Sequence, residues 1–461
     1  MIDETIAAIA TAAGPGGVGI VRVSGPRAIE IVAAAVGVEC PALSRELKLA
    51  WARSADGTRV DQVLAFAMRA PQSFTGEDVA ELHGHGGQHN LRQLLAAVID
   101  RGARIAEPGE FTRRAVANGK LDLLRAEALL AVIQAGSDRA WRQAQHDLEG
   151  ALGAEVSAVE ARALKVLAEL EGWLDFPEQD LTTQSRDWIT SEIAAVRDRC
   201  VALAESFRHG RALTSGIAVA LVGAVNVGKS SLLNALVGVE RALVAPSPGT
   251  TRDWLEVQTS WNGVAVTLID TAGLRETPDS IEQRGIALGE ARVAAADVVV
   301  VINDGESPWN DGASFGDRAL IVRSKSDLGG DPREALVTSA MTGDDGLLFE
   351  PRATLEREAL VTSAMTGEGL PALRDRVLAL AGVADREGSE AAFVTTARQH
   401  GRMGVARDAF TAAVETWTAH RPAELVALEL RAGSHALAEL RGVEVGERVL
   451  DEVFARFCIG K

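Results

Sequence analysis

The sequence predicts a multidomain fold that combines α/β and all-α parts: an N-terminal α+β domain, a helical domain, and an inserted α/β domain with a mainly parallel sheet. A chain of 461 residues is too long for one ordinary core and indicates about three domains. Its character also changes along the chain, from short β-rich runs to helix, then to nearly continuous apolar runs. Helix returns after those runs, so the α/β unit is predicted to interrupt one helical domain.

The N-terminal domain is predicted at residues 1–118, where short runs such as GVGIVRVSG and QVLAFAMRA alternate with turns rich in Gly and Pro. That mixture is typical of a compact α+β domain. Residues 119–215 and 383–461 are rich in Ala, Leu, Glu and Arg and are predicted to form the helical domain. An apolar stripe at helical spacing marks its longest helix; its members are Val156, Val159, Ala163, Leu167, Leu170 and Leu174.

The inserted domain is predicted at residues 216–382. Its runs IAVALVG, VAVTLID, ADVVVVIND and RALIVRS are almost wholly apolar, as expected of strands buried on both faces of a parallel sheet. The segment REALVTSAMTG occurs twice in this domain, at 333–343 and at 357–367. Because the repeat does not continue, it indicates a local duplication within one loop rather than a solenoid.

The bulk composition narrows the function classes. The three cysteines, Cys40, Cys200 and Cys458, are odd in number and far apart, so we expect no disulfide framework and a reducing, cytoplasmic compartment. A net charge of −17 argues against a protein that coats nucleic acid without specificity. We find no signal peptide and no apolar run long enough for a membrane helix, so no membrane association is expected.

A phosphate-binding loop follows the first apolar run of the inserted domain. GAVNVGKSS, residues 223–231, matches GxxxxGK[ST] and leads into the helical run SLLNALVG. Glycines let backbone N–H groups surround phosphate oxygens at a helix N-terminus. Lys229 is expected to reach the β- and γ-phosphates and Ser230 to bind Mg²⁺. The predicted contacts here are Asn226, Val227, Gly228, Lys229, Ser230 and Ser231.

Two further motifs complete a GTPase signature. DTAG follows the run VAVTLI, where Asp270 is expected to hold Mg²⁺ through water and Gly273 to offer its N–H to the γ-phosphate. The predicted contacts of this motif are Asp270, Thr271, Ala272 and Gly273. Between it and the phosphate loop lies a predicted switch loop of Ala245, Pro246, Ser247, Pro248, Gly249, Thr250 and Thr251, in which Thr250 or Thr251 completes the Mg²⁺ shell.

A guanine-recognition loop is predicted at SKSD, which consists of Ser324, Lys325, Ser326 and Asp327. Asp327 is expected to accept two hydrogen bonds from guanine, a pattern that adenine does not offer. The usual motif is N-K-x-D, so Ser324 in place of Asn predicts a looser loop and weaker affinity. The next element, Ser-Ala, exists as Ser339–Ala340 and as Ser363–Ala364. We favour the second copy because the helix start GEGLPALRDRV follows it directly.

Hydrolysis is predicted to use a monovalent cation. Leu274 follows DTAG, so the Gln that orients water in Ras-type enzymes is absent from this sequence, and no arginine finger is evident. Asn226 and the loop APSPGTT favour a cation beside the phosphates that offsets the charge developing between them. Glu282 in SIEQRG is the candidate for orienting water; from sequence alone, a solvated glutamate on a helix face is the alternative.

Distinctive segments also lie outside the nucleotide motifs: GGVGIVRVSG, SFTGEDVAELHGHGG, EPGEFTRRAVANGKLDL and the terminal FCIGK. Together with GAVNVGKSSLLNAL, GTTRD and DTAGLRE, they make the chain resemble the MnmE (TrmE) family of tRNA-modification GTPases over essentially its whole length. The nucleotide motifs alone would fit many GTPases. The N-terminal segments combined with a terminal CxGK make the resemblance specific.

This resemblance implies a function. Family members bind a one-carbon folate (formyl- or methylene-tetrahydrofolate) through an N-terminal domain that also forms a homodimer. GTP hydrolysis is stimulated by K⁺ when two G domains pair. With an FAD-containing partner, MnmG (GidA), they place an aminomethyl-type group such as carboxymethylaminomethyl on C5 of the wobble uridine of certain tRNAs.

The resemblance also implies residue roles. K⁺ would be held by Asn226, Ala245, Ser247 and Thr250, and Mg²⁺ by Ser230 and Thr251. Glu282 would orient the attacking water through a bridging water. Lys229 and Asp270 would be the other catalytic residues of the nucleotide site. The folate positions are Arg22, Glu81, Lys120 and Lys461; cations suit the glutamate tail of folate, and a carboxylate suits the amino-pyrimidinone edge of its pterin.

Three groups of residues keep more than one interpretation. Cys458 either packs beside Phe454 and Phe457 or acts near the folate and tRNA chemistry as a catalytic thiol, its thiolate favoured by Lys461. HGHGGQH holds three histidines with no carboxylate or Cys partner at an obvious spacing, so turn structure or pocket lining is preferred to a metal site; they are His83, His85 and His89. A basic surface or solvated helix charge are alternatives for Arg113, Arg114 and Arg125.

Two other function classes are alternatives. A ribosome-assembly or RNA-binding regulatory GTPase would carry an appended RNA module such as a KH domain with a GxxG loop and a basic face. The C-terminal segment shows neither feature. A nucleotide-dependent scaffold would bind GTP without useful hydrolysis, and phosphate release in K⁺ and Na⁺ buffers would distinguish it.

Overall fold

The computed structural model divides into two compact units. The first comprises Met1–Leu130, Leu148–Glu169 and Ala427–Lys461, and the second Ala131–Asp147 and Leu170–Val426. Within these limits the structure describes residues 4–39, 43–175, 183–238, 255–270, 291–304, 312–328, 359–383, 391–443 and 445–460.

The elements follow the predicted sequence of β-rich, helical, α/β and helical segments. The first segment contains β1 (Ile6–Ile9), β2 (Gly19–Ser24), α1 (Ala28–Val36), β3 (Lys48–Arg53), β4 (Arg59–Met68), β5 (Val79–Gly84), α2 (Gln88–Ile99), β6 (Arg104–Ile105) and α3 (Glu110–Ala117). Helices then follow as α4 (Leu123–Gln134), α5 (Asp138–Glu149), α6 (Ala151–Asp175), α7 (Thr183–Glu205) and α8 (Phe207–Ser215).

The α/β segment begins immediately after α8. Its elements are β7 (Ile217–Gly223), α9 (Lys229–Val237), β8 (Leu255–Trp261), β9 (Val264–Asp270), β10 (Val298–Asn303), β11 (Ala319–Arg323), β12 (Leu360–Val361) and α10 (Leu370–Leu380). Short 3₁₀ turns occupy Ala313–Arg318 and Ser326–Leu328. The chain closes with α11 (Ala397–Thr418), α12 (Ala423–Arg441) and α13 (Glu447–Phe454).

The first unit contains a mixed sheet whose described strands run in the order β3-β4-β5-β2-β1-β6. Neighbours are antiparallel except β1 and β6, which are parallel. Alternate residues such as Val21, Val63 and Leu82 join residues of α1 and α2 in one core. Side chains between them, among them Arg22 and Glu81, therefore lie on the opposite face of the sheet.

The second unit contains a sheet whose described strands run in the order β12-β11-β10-β7-β9-β8. All neighbours are parallel except β8, which is antiparallel to β9. Every residue of β10 is buried, which confirms that the continuous apolar runs form central strands. Strand order reverses at β7, which lies between β9 and β10, and ligands bind open sheets at the carboxyl edge of such a point.

The helical segments bury the predicted stripe. Val156, Ala163 and Leu170 on α6 are fully buried, and Arg441 of α12 forms an ion pair with Glu160 of α6 in the first unit. In the second unit, Trp417 Nε1 on α11 donates a 2.8 Å hydrogen bond to Thr190 Oγ1 on α7. The predicted class, mixed α/β with helical parts and a mainly parallel inserted sheet, is confirmed; the domain boundaries remain predictions.

Within the described residues, no helix is both apolar and long enough to cross a lipid bilayer. Cys200 is buried on α7, and burial raises the pKa of its thiol to about 12. That thiol is therefore a packing group rather than a nucleophile.

Candidate nucleotide-binding site

The carboxyl edge of the second sheet gathers most of the predicted nucleotide residues that the structure describes. β7 ends in the phosphate loop, β9 ends at Asp270, β10 is followed by Asp304, and β11 is followed by Ser324. Parallel strands bring these positions together although they are far apart in sequence. The site is thus built by the fold around β7.

The phosphate loop leads directly into helix α9, which begins at Lys229. Asn226 and Gly228 have positive φ angles of 65° and 103°, the left-handed conformations that curl the backbone around an anion. The Lys229 ammonium donates to Gly223 O at 2.8 Å and to Ala224 O at 2.7 Å. Burial lowers the pKa of Lys229, and the neighbouring Asp270 carboxylate partly offsets that effect. A cation is therefore held inside the loop where phosphate charge would lie.

A hydroxyl and a carboxylate of the kind that bind Mg²⁺ lie next to each other beside the loop. Ser230 Oγ donates to Asp270 Oδ2 at 2.9 Å, which joins the first turn of α9 to the end of β9. Hydroxyl, carboxylate and phosphate oxygens are the ligands that Mg²⁺ prefers at nucleotide sites. No group of three or more His, Cys, Asp or Glu side chains able to hold a metal occurs in the described parts of the chain. The donor set fits Mg²⁺ with a nucleotide supplying further oxygens.

Ser324 ties the SKSD loop to the phosphate loop. Its hydroxyl lies 2.6 Å from Val227 O and 3.3 Å from Asn303 O. Lys325, at a φ of 61°, forms an ion pair of 3.1 Å with the buried carboxylate of Asp304. The sequence predicted that replacing Asn by Ser would loosen this loop. The structure instead gives the shorter side chain a direct bond to the phosphate loop.

The second Ser-Ala copy contacts the SKSD loop. Ser363 Oγ donates to Asp327 Oδ1 at 2.6 Å, and Ser326 Oγ donates to Glu368 Oε2 at 3.0 Å. Ser363 is buried and Ala364 half-buried, directly after β12. Strand β12, Leu360–Val361, is itself formed by the second copy of the duplicated segment.

Several predicted residues lie outside the described parts of the chain. They are Cys40, Ala245, Pro246, Ser247, Pro248, Gly249, Thr250, Thr251, Thr271, Ala272, Gly273, Glu282, Ser339, Ala340 and Lys461. Their roles stay predictions.

A second cluster of predicted residues lies on the first sheet. Arg22 and Glu81 are direct partners across β2 and β5, and Arg22 Nε donates to Glu81 Oε1 at 2.7 Å. The Arg22 guanidinium also lies 5.9 Å from the ring centroids of Phe74 and Phe111. Lys120 Nζ donates instead to Pro71 O at 3.1 Å. The fold thus brings Arg22 and Glu81 together, whereas Lys120 contacts a neighbouring loop.

Two of the three histidines of HGHGGQH, His83 and His85, have carboxylate partners that the sequence analysis did not identify. His83 Nε2 lies 2.8 Å from Glu81 Oε2, and His85 Nδ1 lies 2.8 Å from Asp61 Oδ1. Asn90 Nδ2 also donates to Asp61, at 2.5 Å. The first pair was detectable, because residues two apart on a strand share a face; the second depends on the pairing of β4 and β5.

The arginines considered as a basic surface are in ion pairs. Arg114 is 0% exposed and is paired with Glu77 and Glu110, so both interpretations, a basic surface and solvated helix charge, are wrong for it. Arg113 pairs with Asp451 and Arg125 with Asp122. A buried charge such as that of Arg114 is stable only when it is paired, whereas Arg113 and Arg125 remain partly exposed.

Glu110 is the centre of this buried network, which sequence reasoning missed. Burial alone would raise the pKa of Glu110. Hydrogen bonds from Arg104, the Glu107 N–H and Arg114 outweigh it and hold the pKa at about 2. The network joins α3 to Arg104 of β6 and to Glu77.

The C-terminal tail belongs to the same unit. A Cβ on Gly460, whose φ is +100°, would lie 2.3 Å from Ile9 O, so the chain passes close against the end of β1. Phe454 and Phe457 are buried, but Cys458 is exposed. The packing interpretation therefore fits the two phenylalanines and not the thiol.

Comparisons with known proteins cover the whole chain. A model of the GTP-binding protein TrmE N-terminus matches residues 5–120, and a model of the MnmE helical domain matches residues 123–458. The tRNA modification GTPase MnmE of Symbiobacterium thermophilum is 40% identical, with 100% of both chains covered. Its counterpart in Synechococcus sp. (strain CC9902) is 41% identical over 99% of each. Among solved structures, the G domain of the T. maritima FeoB iron transporter matches 36% of this chain and 98% of its own, at 27% identity and a TM-score of 0.25.

Proposed function

The chain belongs to the MnmE family of tRNA modification GTPases, and from this premise we propose that it is a K⁺-stimulated GTPase that modifies C5 of the wobble uridine of certain tRNAs. It does so as a homodimer, with a one-carbon folate and an FAD-dependent partner of the MnmG (GidA) type. The modification is of the aminomethyl or carboxymethylaminomethyl kind, and the protein works in the cytoplasm.

The observation that carries the proposal is the set of contacts at the carboxyl edge of the second sheet. Lys229 is held by two loop carbonyls at 2.7–2.8 Å, where it would meet the β- and γ-phosphates of GTP. Ser230 and Asp270 are already 2.9 Å apart and would share Mg²⁺, which neutralises phosphate charge when bound. Asp327 would accept the guanine N–H groups while Ser363 orients it.

Cleavage of GTP would be assisted by a cation next to Asn226. Its left-handed backbone, at a φ of 65°, lies in the phosphate loop immediately before Val227 and Gly228. The Asn226 amide oxygen would bind K⁺ together with oxygens of Ala245, Ser247 and Thr250. K⁺ supplies the positive charge that an arginine finger supplies in other GTPases. Glu282 would orient the attacking water.

The first unit would hold the folate. Arg22 and Glu81 form a 2.7 Å pair on the face of the sheet opposite its core, where the Glu81 carboxylate would accept the pterin edge and Arg22 would hold that carboxylate in place. Lys120 and Lys461 would add further positive charge, and Cys458, exposed at the tail, would be available to the chemistry.

The experiment that tests the function is mass spectrometry of wobble uridines in tRNA from cells that lack this protein. Cells that express the wild-type chain should contain the C5-modified uridine, and cells that express Lys229→Ala at equal level should lack it. Arg139→Ala, far along the chain from the phosphate loop, is the matched expression control. If cells that lack the protein and cells that express the wild-type chain contained the same wobble uridines, the proposal would be contradicted.

A further inference from the structure

A carboxylate on the face of the first sheet opposite its core is hydrogen-bonded at both of its oxygens. Glu81, 5% exposed, accepts from Arg22 Nε at Oε1, 2.7 Å away, and from His83 Nε2 at Oε2, 2.8 Å away. The two donors come from different strands, β2 and β5. The carboxylate plane is therefore fixed by two separate elements rather than by one.

The imidazole of His83 is fixed as well. Its ring meets the ring of Phe66 edge-on, with centroids 5.2 Å apart and planes at 77°. Phe66 lies directly opposite Glu81 across β4 and β5. The Phe66 ring therefore supports the imidazole of His83, and the Glu81 carboxylate accepts its hydrogen bond. Because Nε2 faces a carboxylate, Nε2 is the nitrogen that carries the proton.

An ionised carboxylate has about four acceptor sites, two on each oxygen. Arg22 uses one site at Oε1 and His83 uses one at Oε2, so one site on each oxygen remains. A heterocycle edge with two parallel N–H donors, such as an amino-pyrimidinone, matches that arrangement. A carboxylate free to rotate would lose part of this preorganisation.

We propose that His83 is a positioning residue for the ligand-binding carboxylate: its imidazole, braced by Phe66, holds Glu81 in the orientation that accepts the amino-pyrimidinone edge of the folate. The inference rests on the proposed folate site and extends it to a residue that does not itself touch the folate. It also gives a role to the first histidine of HGHGGQH. Among the described residues, no cluster of side chains able to hold a metal includes this histidine.

The test is equilibrium binding of 5-formyl-tetrahydrofolate to the full-length protein. His83→Leu, which removes the donor, should weaken binding about tenfold, the size expected for one hydrogen bond to a charged group. His83→Gln, whose amide can donate to Glu81, should stay within about threefold of wild type. His89→Leu, at an exposed position of the same segment, is the control and should bind as wild type.

The outcomes separate the two claims. Wild-type protein that binds no folate overturns the folate assignment and the inference with it. Wild-type binding with equal loss in His83→Leu and His83→Gln, or with no loss in either, overturns the inference alone. GTP hydrolysis, measured on the same samples, should be equal in all four proteins because His83 belongs to the other unit; a parallel fall would indicate misfolding and count against a positioning role.

Discussion

The hydroxyl of Ser363 donates a 2.6 Å hydrogen bond to Asp327 Oδ1, which joins the loop after β11 to the loop after β12. Ser363 is buried, and its oxygen also accepts the N–H groups of Met365 and Thr366. The orientation of Asp327, the carboxylate predicted to recognise guanine, is therefore set by a hydroxyl that is itself held in place. This serine belongs to one of two identical segments of the chain.

Ser363→Ala should reduce GTP affinity about tenfold, because the lost bond is to an ionised carboxylate. The duplication supplies an unusually close control, since Ser339→Ala makes the same change in the same local sequence. Fluorescent-nucleotide titration should show the loss for position 363 only. A loss at position 339 alone would assign base recognition to the first copy, and equal losses at both positions would contradict a specific role for Ser363.

Ser324→Ala should weaken GTP binding about tenfold, because it leaves the Val227 carbonyl of the phosphate loop without this donor. Ser324→Asn keeps a donor of greater reach and should bind at least as tightly as wild type. The same titration measures both. If alanine binds as well as serine, the 2.6 Å contact does not support the loop.

Glu282→Ala should bind GTP with unchanged affinity but hydrolyse it at least about a hundredfold more slowly, as expected when a water-orienting group is removed. Single-turnover phosphate release in K⁺ buffer measures the step directly. Glu276→Ala, in the same segment, serves as the control for lost negative charge. Unchanged turnover in Glu282→Ala would remove Glu282 from the mechanism and favour the solvated-glutamate interpretation.

Glu110→Gln should lower the free energy of unfolding by about 3 kcal/mol at pH 7, because it breaks a buried ion-pair network. The folded pKa of Glu110, about 2, lies below its ordinary value of 4.5. Its stabilising contribution is therefore complete above that ordinary value and is lost as the pH falls toward 2. The difference in the free energy of unfolding between wild type and Glu110→Gln should therefore shrink as the pH falls from 4.5 toward 2.

Denaturant unfolding of both proteins between pH 7 and pH 3 measures this difference. Glu30→Gln, which breaks the exposed pair with Arg27, is the matched control and should leave stability unchanged at every pH. A wild-type advantage over Glu110→Gln that stays constant down to pH 3 would contradict the assigned titration.

The sequence was most informative where function depends on the ends of buried strands. The apolar runs predicted β7, β9, β10 and β11 because both faces of a central parallel strand are covered. The motifs then fell at their carboxyl ends, where Lys229, Asp270 and Ser324 lie at one edge. Helical spacing likewise predicted the buried stripe of α6.

The remaining contacts depend on the pairing of elements distant in sequence. The bond from Ser324 to Val227 joins two loops, so the sequence alone suggested a weakened loop. The pairing of His85 with Asp61 requires the register of β4 and β5, and the burial of Arg114 requires its partners Glu77 and Glu110. Residue type identifies such groups as polar but does not say which partner each will meet.

The central claim is that a monovalent cation beside Asn226 drives phosphate cleavage. The most direct measurement is steady-state phosphate release from GTP in K⁺ and in Na⁺ at equal ionic strength, for wild type and Asn226→Ala. We predict release at least about tenfold faster in K⁺ for wild type, and no K⁺ advantage for Asn226→Ala despite retained GTP binding. Equal wild-type rates in the two salts, or a K⁺ advantage that survives Asn226→Ala, would contradict the account.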